Sequence, residues 1–401
     1  MNIVNLCIYA YWLLKPFYIG KSGTLQISDL FILIAFALMM FIKKDKQNQD
    51  KVKSKIQSEL KYLLLFIIFV AVINFIYFLI YETPDFIMST LYYIFIFIGI
   101  YLFSGIISNK KTLKKIFFLS FIDIVMQLFI FVIGKGTYFG NSRYQGTFND
   151  PNQFGFFIIL MLMHIYTISD IINAKKIFVY ISFLMGTFLI ILSGSTGMIL
   201  ALGFFLAIQI FADINNIGNF IRKNSAKIVI ALSFMIMIGT ILIIEYNGNR
   251  FVKIKVTEWY NEKILNSNML LRIKEKTNKK DDGDLIEDRH LEQIVNNPWY
   301  CIYGGGQGYS IRFTNNEYSG EIHSTLPSIL FYYGIIPTII LLYWIIRNLK
   351  GLNLKQLSVY IALLIESFTL INQRQLMLWG LIILANMYKI DEISEKDNKE
   401  L

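Results

Sequence analysis

Charged residues and cysteines are both scarce in this sequence. Only 16% of its 401 residues are Asp, Glu, Lys or Arg, whereas 55% are hydrophobic, a composition that is too apolar for a soluble protein of this length. Its two cysteines, Cys7 and Cys301, give neither a disulfide framework nor a metal-binding set. No small-residue cleavage pattern precedes Gly20 and Lys21, so the first apolar stretch is expected to remain as a membrane span.

Long apolar runs are what the sequence has in quantity. A helix needs roughly 20 mostly apolar residues to cross a bilayer, because its backbone polar groups must be satisfied internally. By this criterion the sequence predicts an all-α polytopic membrane protein with about twelve transmembrane helices. The predicted spans are Ile3 to Tyr18, Leu25 to Ile42, Tyr62 to Tyr81, Phe86 to Ile107, Ile116 to Ile133, Phe154 to Ile168, Ile177 to Leu192, Gly197 to Phe211, Ile228 to Tyr246, Ser324 to Ile346, Leu357 to Ile371 and Leu376 to Ile390.

The distribution of positive charge predicts the topology. The net charge of +10 is concentrated in short connections at alternate ends of the spans, beginning with the lysines of Lys43 to Lys61. This positive-inside pattern predicts both termini in the cytoplasm and implies no nucleic-acid partner. The chain then divides into spans one to nine (residues 1–246), a large extracytoplasmic loop (247–322), spans ten to twelve (323–390) and a cytoplasmic tail (391–401).

The large loop is the one long hydrophilic segment, and we expect it to carry chemistry. Phe251 to Leu265 mixes apolar residues with lysines, which suits a segment lying on the membrane surface. Leu285 to Val295 has the apolar spacing of a short helix bearing Arg289 and His290. A glycine turn, Tyr303 to Tyr309, follows Pro298.

Four polar stretches fall on the predicted outer face. In Arg143 to Gly155, Asn-Asp-Pro-Asn is strong turn chemistry, and Asn152 could simply cap span six. Ser193 to Gly197 is most simply a tight turn between helices. Arg289 with the glycine turn could be a solvated surface, although guanidinium suits a bidentate grip on a diphosphate. In Glu321 to Leu326, His323 can titrate near neutral pH and act as a general base, although a lone His is more often structural.

Two ionisable residues lie at membrane depth, where a charge is costly. Asp123 is in span five and Glu366 is towards the outer end of span eleven. Each is expected to face the protein interior. Either could belong to a glycan cavity or pair with a neighbouring helix.

The order of the four stretches resembles the O-antigen ligase and polymerase superfamily (the Wzy and WaaL group) of bacterial membrane glycosyltransferases. Arg143 with Asn152 and Gly155 is similar to its Arg and Asn-Pro-Asn segment, and Ser193 to Gly197 is similar to its Ser-x-Ser-Arg-Gly turn. Thr196 stands where the family commonly has Arg, and Arg374 in the last outer loop is the candidate substitute. The remaining matches are an outer-loop arginine, a Gly-x-Gly turn and a His-[Asn/Ser]-x-x-Leu motif, carried here by Arg289, Gly304, Gly306, Gly308 and His323 to Leu326.

The resemblance implies a GT-C-like, metal-independent enzyme of the bacterial inner membrane that needs no cofactor. It implies transfer of glycan from undecaprenyl diphosphate to a sugar hydroxyl of the next lipid-linked repeat unit, making O-antigen, capsule or exopolysaccharide. The implied partners are the lipid-linked oligosaccharide, membrane lipid and a chain-length regulator protein. The expected catalytic residues are His323 and Arg289, and the expected diphosphate or glycan ligands are Arg143, Asn152, Arg374, Gly304 and Gly306.

Two other functions fit the same sequence. A ligase, which attaches finished glycan to a terminal acceptor, has the same motifs. A polysaccharide flippase or transporter also has about twelve spans, but it does not require a large outer loop bearing Arg and His, and no internal repeat of paired transporter halves is visible.

Overall fold

The computed structural model describes residues 3–20, 25–41, 51–140, 143–212, 289–313 and 320–388. Within these ranges the fold is mostly helical, and strand is confined to one antiparallel pair. The helices are α1 (Ile3–Leu14), α2 (Ile27–Phe41), α3 (Lys51–Tyr81), α4 (Asp85–Ile107), α5 (Lys110–Val132), α6 (Pro151–Ile171), α7 (Lys176–Ser193), α8 (Thr196–Ala212), α9 (Glu292–Asn296), α10 (Tyr300–Tyr303), α11 (Thr325–Tyr333), α12 (Ile335–Leu349), α13 (Leu354–Ser367) and α14 (Leu376–Leu384), and the strands are β1 (Thr137–Phe139) and β2 (Arg143–Gly146).

The helices lie on the predicted apolar runs. Five described helices are long and apolar enough to cross a membrane, within α3, α4, α5, α6 and α7, which indicates a helical membrane protein. Shorter apolar helices lie on the predicted spans one, two, eight, ten and twelve. The predicted span nine, Ile228 to Tyr246, and the predicted surface segment, Phe251 to Leu265, fall outside the described residues.

The helix α6 is the centre of the bundle. Within the protein, 83% of its most apolar stretch is buried, whereas only 28% of the corresponding stretch of α3 is buried. It packs against α5 and α7, and it also contacts α8, α14 and β2. The apolar side chains that α3 leaves exposed, such as Leu64, Ile68 and Phe75, are those that a lipid-facing helix requires.

The predicted connection from Lys43 to Lys61 is partly helical, because α3 begins at Lys51. Lys, Gln and Glu are good helix formers, so a polar stretch can extend an apolar helix beyond the bilayer. The predicted loop from Gly134 to Gln153 likewise contains the β1–β2 hairpin, in which Tyr138 pairs with Tyr144 and Phe139 with Arg143. The hairpin fixes the backbone at Arg143.

The predicted span ten is two helices rather than one. The helix α11 ends and α12 begins at Gly334, whose φ of 77° lies outside the helical region. A side chain at this position would meet the carbonyl oxygen of Ile302. Glycine therefore allows both the break and the close approach of the chain just before Gly304.

The predicted short helix from Leu285 to Val295 is also corrected over its described residues. Arg289 and His290 lie in a turn, and α9 begins only at Glu292. His290 has a φ of 54°, which is left-handed and incompatible with a continuous α-helix. From this turn Arg289 reaches the carbonyl oxygen of Phe368 at the end of α13.

Candidate functional site

A cavity of about 830 Å³ lies at one end of the bundle, and we call this the site end. It is lined by residues at the C-terminal end of α1, the N-terminal parts of α2, α4, α6 and α8, and the loops before α11 and after α13. The loops that the sequence analysis assigns to one face thus meet around one space. A cavity of this size is in the range of small-molecule sites.

Most of the predicted site residues line this cavity. The residues that it brings together are Arg143, Asn152, Arg289, His323 and Arg374. Gly304 and Gly306 do not line it. The tight turn of Gly194, Ser195, Thr196 and Gly197 contributes to its wall, as do Asn149 and Asp150 from the Asn-Asp-Pro-Asn stretch.

Arg143 is held where β2, α6 and α7 meet. Its Nε donates to the carbonyl oxygen of Ser193 at 2.9 Å, and its Nη2 donates to Oδ1 of Asn152 at 2.7 Å. Asn152 does not cap α6. The cap is Asp150, whose Oδ1 accepts from the backbone N–H groups of Asn152 and Gln153, so the Asn152 side chain is left to orient the guanidinium.

Arg289 and His323 are joined through the backbone. The His323 N–H donates to the Arg289 carbonyl oxygen at 2.9 Å, and Arg289 Nη1 donates to the carbonyl oxygen of Phe368 at 2.6 Å. Ser324 Oγ donates to the same carbonyl at 2.7 Å. Three loops that are distant in sequence therefore hold a guanidinium and an imidazole side by side at the cavity.

The surroundings of His323 disfavour the charged form of its imidazole, although the residue as a whole is still exposed to solvent. Burial lowers the pKa of its imidazole, and the neighbouring His290 lowers it further. The two rings meet edge to face with centroids 5.2 Å apart, and His290 Nδ1 lies 3.3 Å from Oε1 of Glu292. An uncharged imidazole at neutral pH can accept a proton from a hydroxyl group.

Two ion pairs complete the wall. Arg374 Nη2 lies 2.7 Å from Oε1 and 3.0 Å from Oε2 of Glu321. Lys15 Nζ lies 2.8 Å from Oδ1 of Asp29, and both of these side chains are more than nine-tenths buried. The sequence analysis missed Lys15, Asp29 and Glu321 as site residues. The available signal was the pair of charged residues at facing ends of spans one and two.

The glycine turn has a packing role in the described residues. The Gly305 and Gly306 N–H groups donate to the carbonyl oxygens of Phe331 and Tyr332, so the turn is bound to the end of α11. Arg312 donates to the carbonyl oxygens of Gly305 and Gly306 and is surrounded by the aromatic rings of Tyr77, Tyr81, Phe86 and Phe313. A side chain on Gly304 would meet the backbone of Tyr332 and Tyr333. Contact of Gly304 and Gly306 with a diphosphate stays a prediction that this packing does not support.

The two acidic residues at membrane depth differ in position. Glu366 accepts a hydrogen bond from Asn372, which lines the cavity, so Glu366 supports the wall from behind. Asp123 is fully buried on α5, and its carboxylate accepts no hydrogen bond from the described residues. Asp123 is not part of the cavity wall.

Comparison of the chain with protein families, with curated proteins and with solved structures finds no match. Within the described part of the chain, no three His, Cys, Asp or Glu side chains are grouped so that they could hold a metal ion. The chemistry of the cavity is therefore the basis for a functional proposal.

Proposed function

We propose that this protein is a metal-independent membrane glycosyltransferase. It acts as a polysaccharide polymerase that transfers glycan from undecaprenyl diphosphate to a sugar hydroxyl of the next lipid-linked repeat unit. The observation that carries the proposal is that Arg143, Arg289 and His323 line one cavity. These are the residues that the resemblance to the Wzy and WaaL group nominates, and their side chains suit a diphosphate and a hydroxyl group.

The chemistry divides between the arginines and the histidine. The acceptor hydroxyl oxygen attacks the anomeric carbon of the donor sugar, and the bond from that carbon to the diphosphate oxygen breaks with both electrons leaving on the diphosphate. His323 accepts the hydroxyl proton, and its lowered pKa means that more of the imidazole is unprotonated and able to accept one. Arg143 and Arg289 stabilise the negative charge that develops on the leaving diphosphate.

The proposed topology has twelve spans with both termini in the cytoplasm, and it puts the site end at the outer face of the bacterial inner membrane. Charge at the opposite end of the bundle supports this orientation. The α4–α5, α6–α7 and α12–α13 connections and the helix ends beside them carry Lys110, Lys111, Lys114, Lys115, Lys175, Lys176, Arg347, Lys350 and Lys355.

The proposal is tested by gel profiling of surface glycan in a strain deleted for this gene. The strain is complemented with wild type, Arg289→Ala, His323→Ala, or the control Lys176→Ala, which changes an exposed residue at the opposite end. We expect a ladder of repeats with wild type and the control, and single repeat units with the deletion and both site variants. Loss of the general base is expected to slow transfer by roughly 10²-fold to 10⁴-fold.

Other patterns would contradict the polymerase. Long chains that accumulate on the lipid carrier without attachment to the surface would indicate a ligase. Normal ladders from both site variants, with all glycan lost only in the deletion, would indicate a transporter. Matched amounts of each variant in the membrane are verified by immunoblot.

A further inference from the structure

One part of the cavity wall is built from ion pairs and tyrosine rings. It consists of Lys15, Asp29, Tyr92, Glu321 and Arg374, and we call it the paired wall. All five residues line the cavity, and the Tyr92 side chain lies within the electrostatic influence of all four charged groups. The paired wall is thus assembled from the residue that follows α1, from α2 and α4, and from two loops.

The charges on the paired wall cancel. Lys15 pairs with Asp29 at 2.8 Å, and Arg374 pairs with Glu321 at 2.7 Å. An ion pair of this kind presents donors and acceptors in close proximity without net charge. A diphosphate requires an excess of positive charge, so Arg374 is unsuited to the diphosphate-binding role that the sequence analysis gives it.

Aromatic surface accompanies these pairs. The Arg374 guanidinium lies 4.9 Å from the centre of the Tyr92 ring, which fixes the ring in place. Tyr18 also lines the cavity, its ring centre lies 6.0 Å from Lys15 Nζ, and its hydroxyl accepts from Nε2 of Gln375 at 3.2 Å. The combination of flat aromatic rings with mixed donors and acceptors suits a ligand that has apolar C–H faces and many uncharged hydroxyl groups.

We infer that the paired wall binds an uncharged sugar of the acceptor glycan and holds its hydroxyl group towards His323. The class of ligand, an uncharged sugar, follows from the composition of the wall. That this sugar belongs to the acceptor glycan rests on the proposed function. Glu321 and His323 are two residues apart on one loop, so the paired wall is continuous with the proposed base. Arg143, held by Ser193 and Asn152, belongs to a different part of the wall and serves the donor.

Equilibrium binding tests the inference without requiring transfer. The probe is an oligosaccharide made by partial acid hydrolysis of the host's surface polysaccharide and labelled with a fluorophore at its reducing end. Its binding to the purified full chain in lipid nanodiscs is followed by fluorescence anisotropy. We expect Tyr92→Ala to raise the Kd by about tenfold, whereas Tyr92→Phe, which keeps the ring, and Arg143→Ala stay within about twofold of wild type.

Three results would overturn the inference. They are absence of binding to wild type, an unchanged Kd for Tyr92→Ala, and an equal loss of affinity for Tyr92→Ala and Arg143→Ala. Inorganic pyrophosphate is added as a competitor and is expected to leave the labelled sugar bound. A single symmetric elution peak and an unchanged thermal midpoint for Tyr92→Ala exclude misfolding, and Glu321→Gln provides a second variant of the same wall.

The binding result and the ladder result are separable. A wild-type chain that makes ladders in cells but does not bind the oligosaccharide refutes the paired wall and leaves the polymerase proposal intact. A chain that binds the oligosaccharide through Tyr92, in a host whose ladders do not depend on this gene, refutes the polymerase and keeps the sugar site.

Discussion

Replacement of Lys15 by methionine is expected to destabilise the protein strongly, because it leaves the Asp29 carboxylate buried without its counter-ion. The two side chains are only 6% and 7% exposed, and their charged atoms are 2.8 Å apart. At an effective dielectric constant of about 20, the attraction at this distance is on the order of 6 kcal/mol. Asp29 would keep the hydrogen bond from the backbone N–H of Gln26, which offsets only part of this loss.

Breaking a buried pair from one side typically costs about 3–5 kcal/mol. The midpoint of thermal unfolding of Lys15→Met should therefore fall by roughly 4–6 °C. The assay heats the purified protein in detergent with a thiol-reactive dye, in a Cys301→Ser background because Cys301 is partly exposed, so that the signal comes from the buried Cys7. The double variant Lys15→Met with Asp29→Asn removes both charges and should lose much less than the sum of the two single losses.

Arg347→Met is the matched control. It breaks a bidentate pair with Glu59, but the Arg347 side chain is 42% exposed, so solvent screening should make the loss clearly smaller than that of Lys15→Met. The reasoning is refuted if Lys15→Met unfolds at the wild-type midpoint, or if the double variant loses as much as both single variants together.

Three further predictions follow from other parts of the site end. The rate of transfer should decline as the pH falls through the pKa of His323, which lies below the ordinary 6.5. His290→Gln should move this decline to higher pH, because it removes a group that lowers the pKa of His323. A pH–rate profile in which the decline stays at the wild-type pH contradicts this. Gly334→Ala should lower the midpoint of thermal unfolding for two reasons. A left-handed backbone costs about 1–2 kcal/mol for a residue with a side chain, and the new methyl group would meet the carbonyl oxygen of Ile302. An unchanged midpoint contradicts this prediction. Arg312→Lys should loosen the glycine turn and speed maleimide labelling of Cys301, measured by mass spectrometry, by roughly tenfold. This factor corresponds to about 1.4 kcal/mol of local stability. A labelling rate equal to that of wild type would show that the guanidinium is dispensable there.

The helices could be predicted because a membrane helix depends on local composition. A run such as Phe86 to Ile107 is mostly apolar and carries no charge, and the structure begins the corresponding helix one residue earlier, at Asp85. The break at Gly334 could not be predicted this way, since one glycine barely changes the mean hydropathy of a long apolar run. Its cause is the approach of Ile302 from a distant part of the sequence.

The candidate site was predictable to the extent that chemistry resides in single residues. Residue type alone favoured structural roles for Arg143, Arg289 and His323, and the resemblance of the four stretches to a family's motifs nominated them as site residues. The structure gathers them at one cavity. The partner that neutralises Arg374 could not be nominated, because pairing between loops depends on how the chain packs. Glu321 and Arg374 are separated by 53 residues of sequence and meet only in the fold.

The burial of α6 bears on how this chain can change under selection. An outward position on α3 needs only to remain apolar, so Leu, Ile, Val and Phe can replace one another there with little effect. A position on α6 must also fit the side chains around it, since protein interiors are close-packed. Substitutions in α6 should therefore be rare and should occur together with changes in α5 and α7, while the lipid-facing helices diverge first.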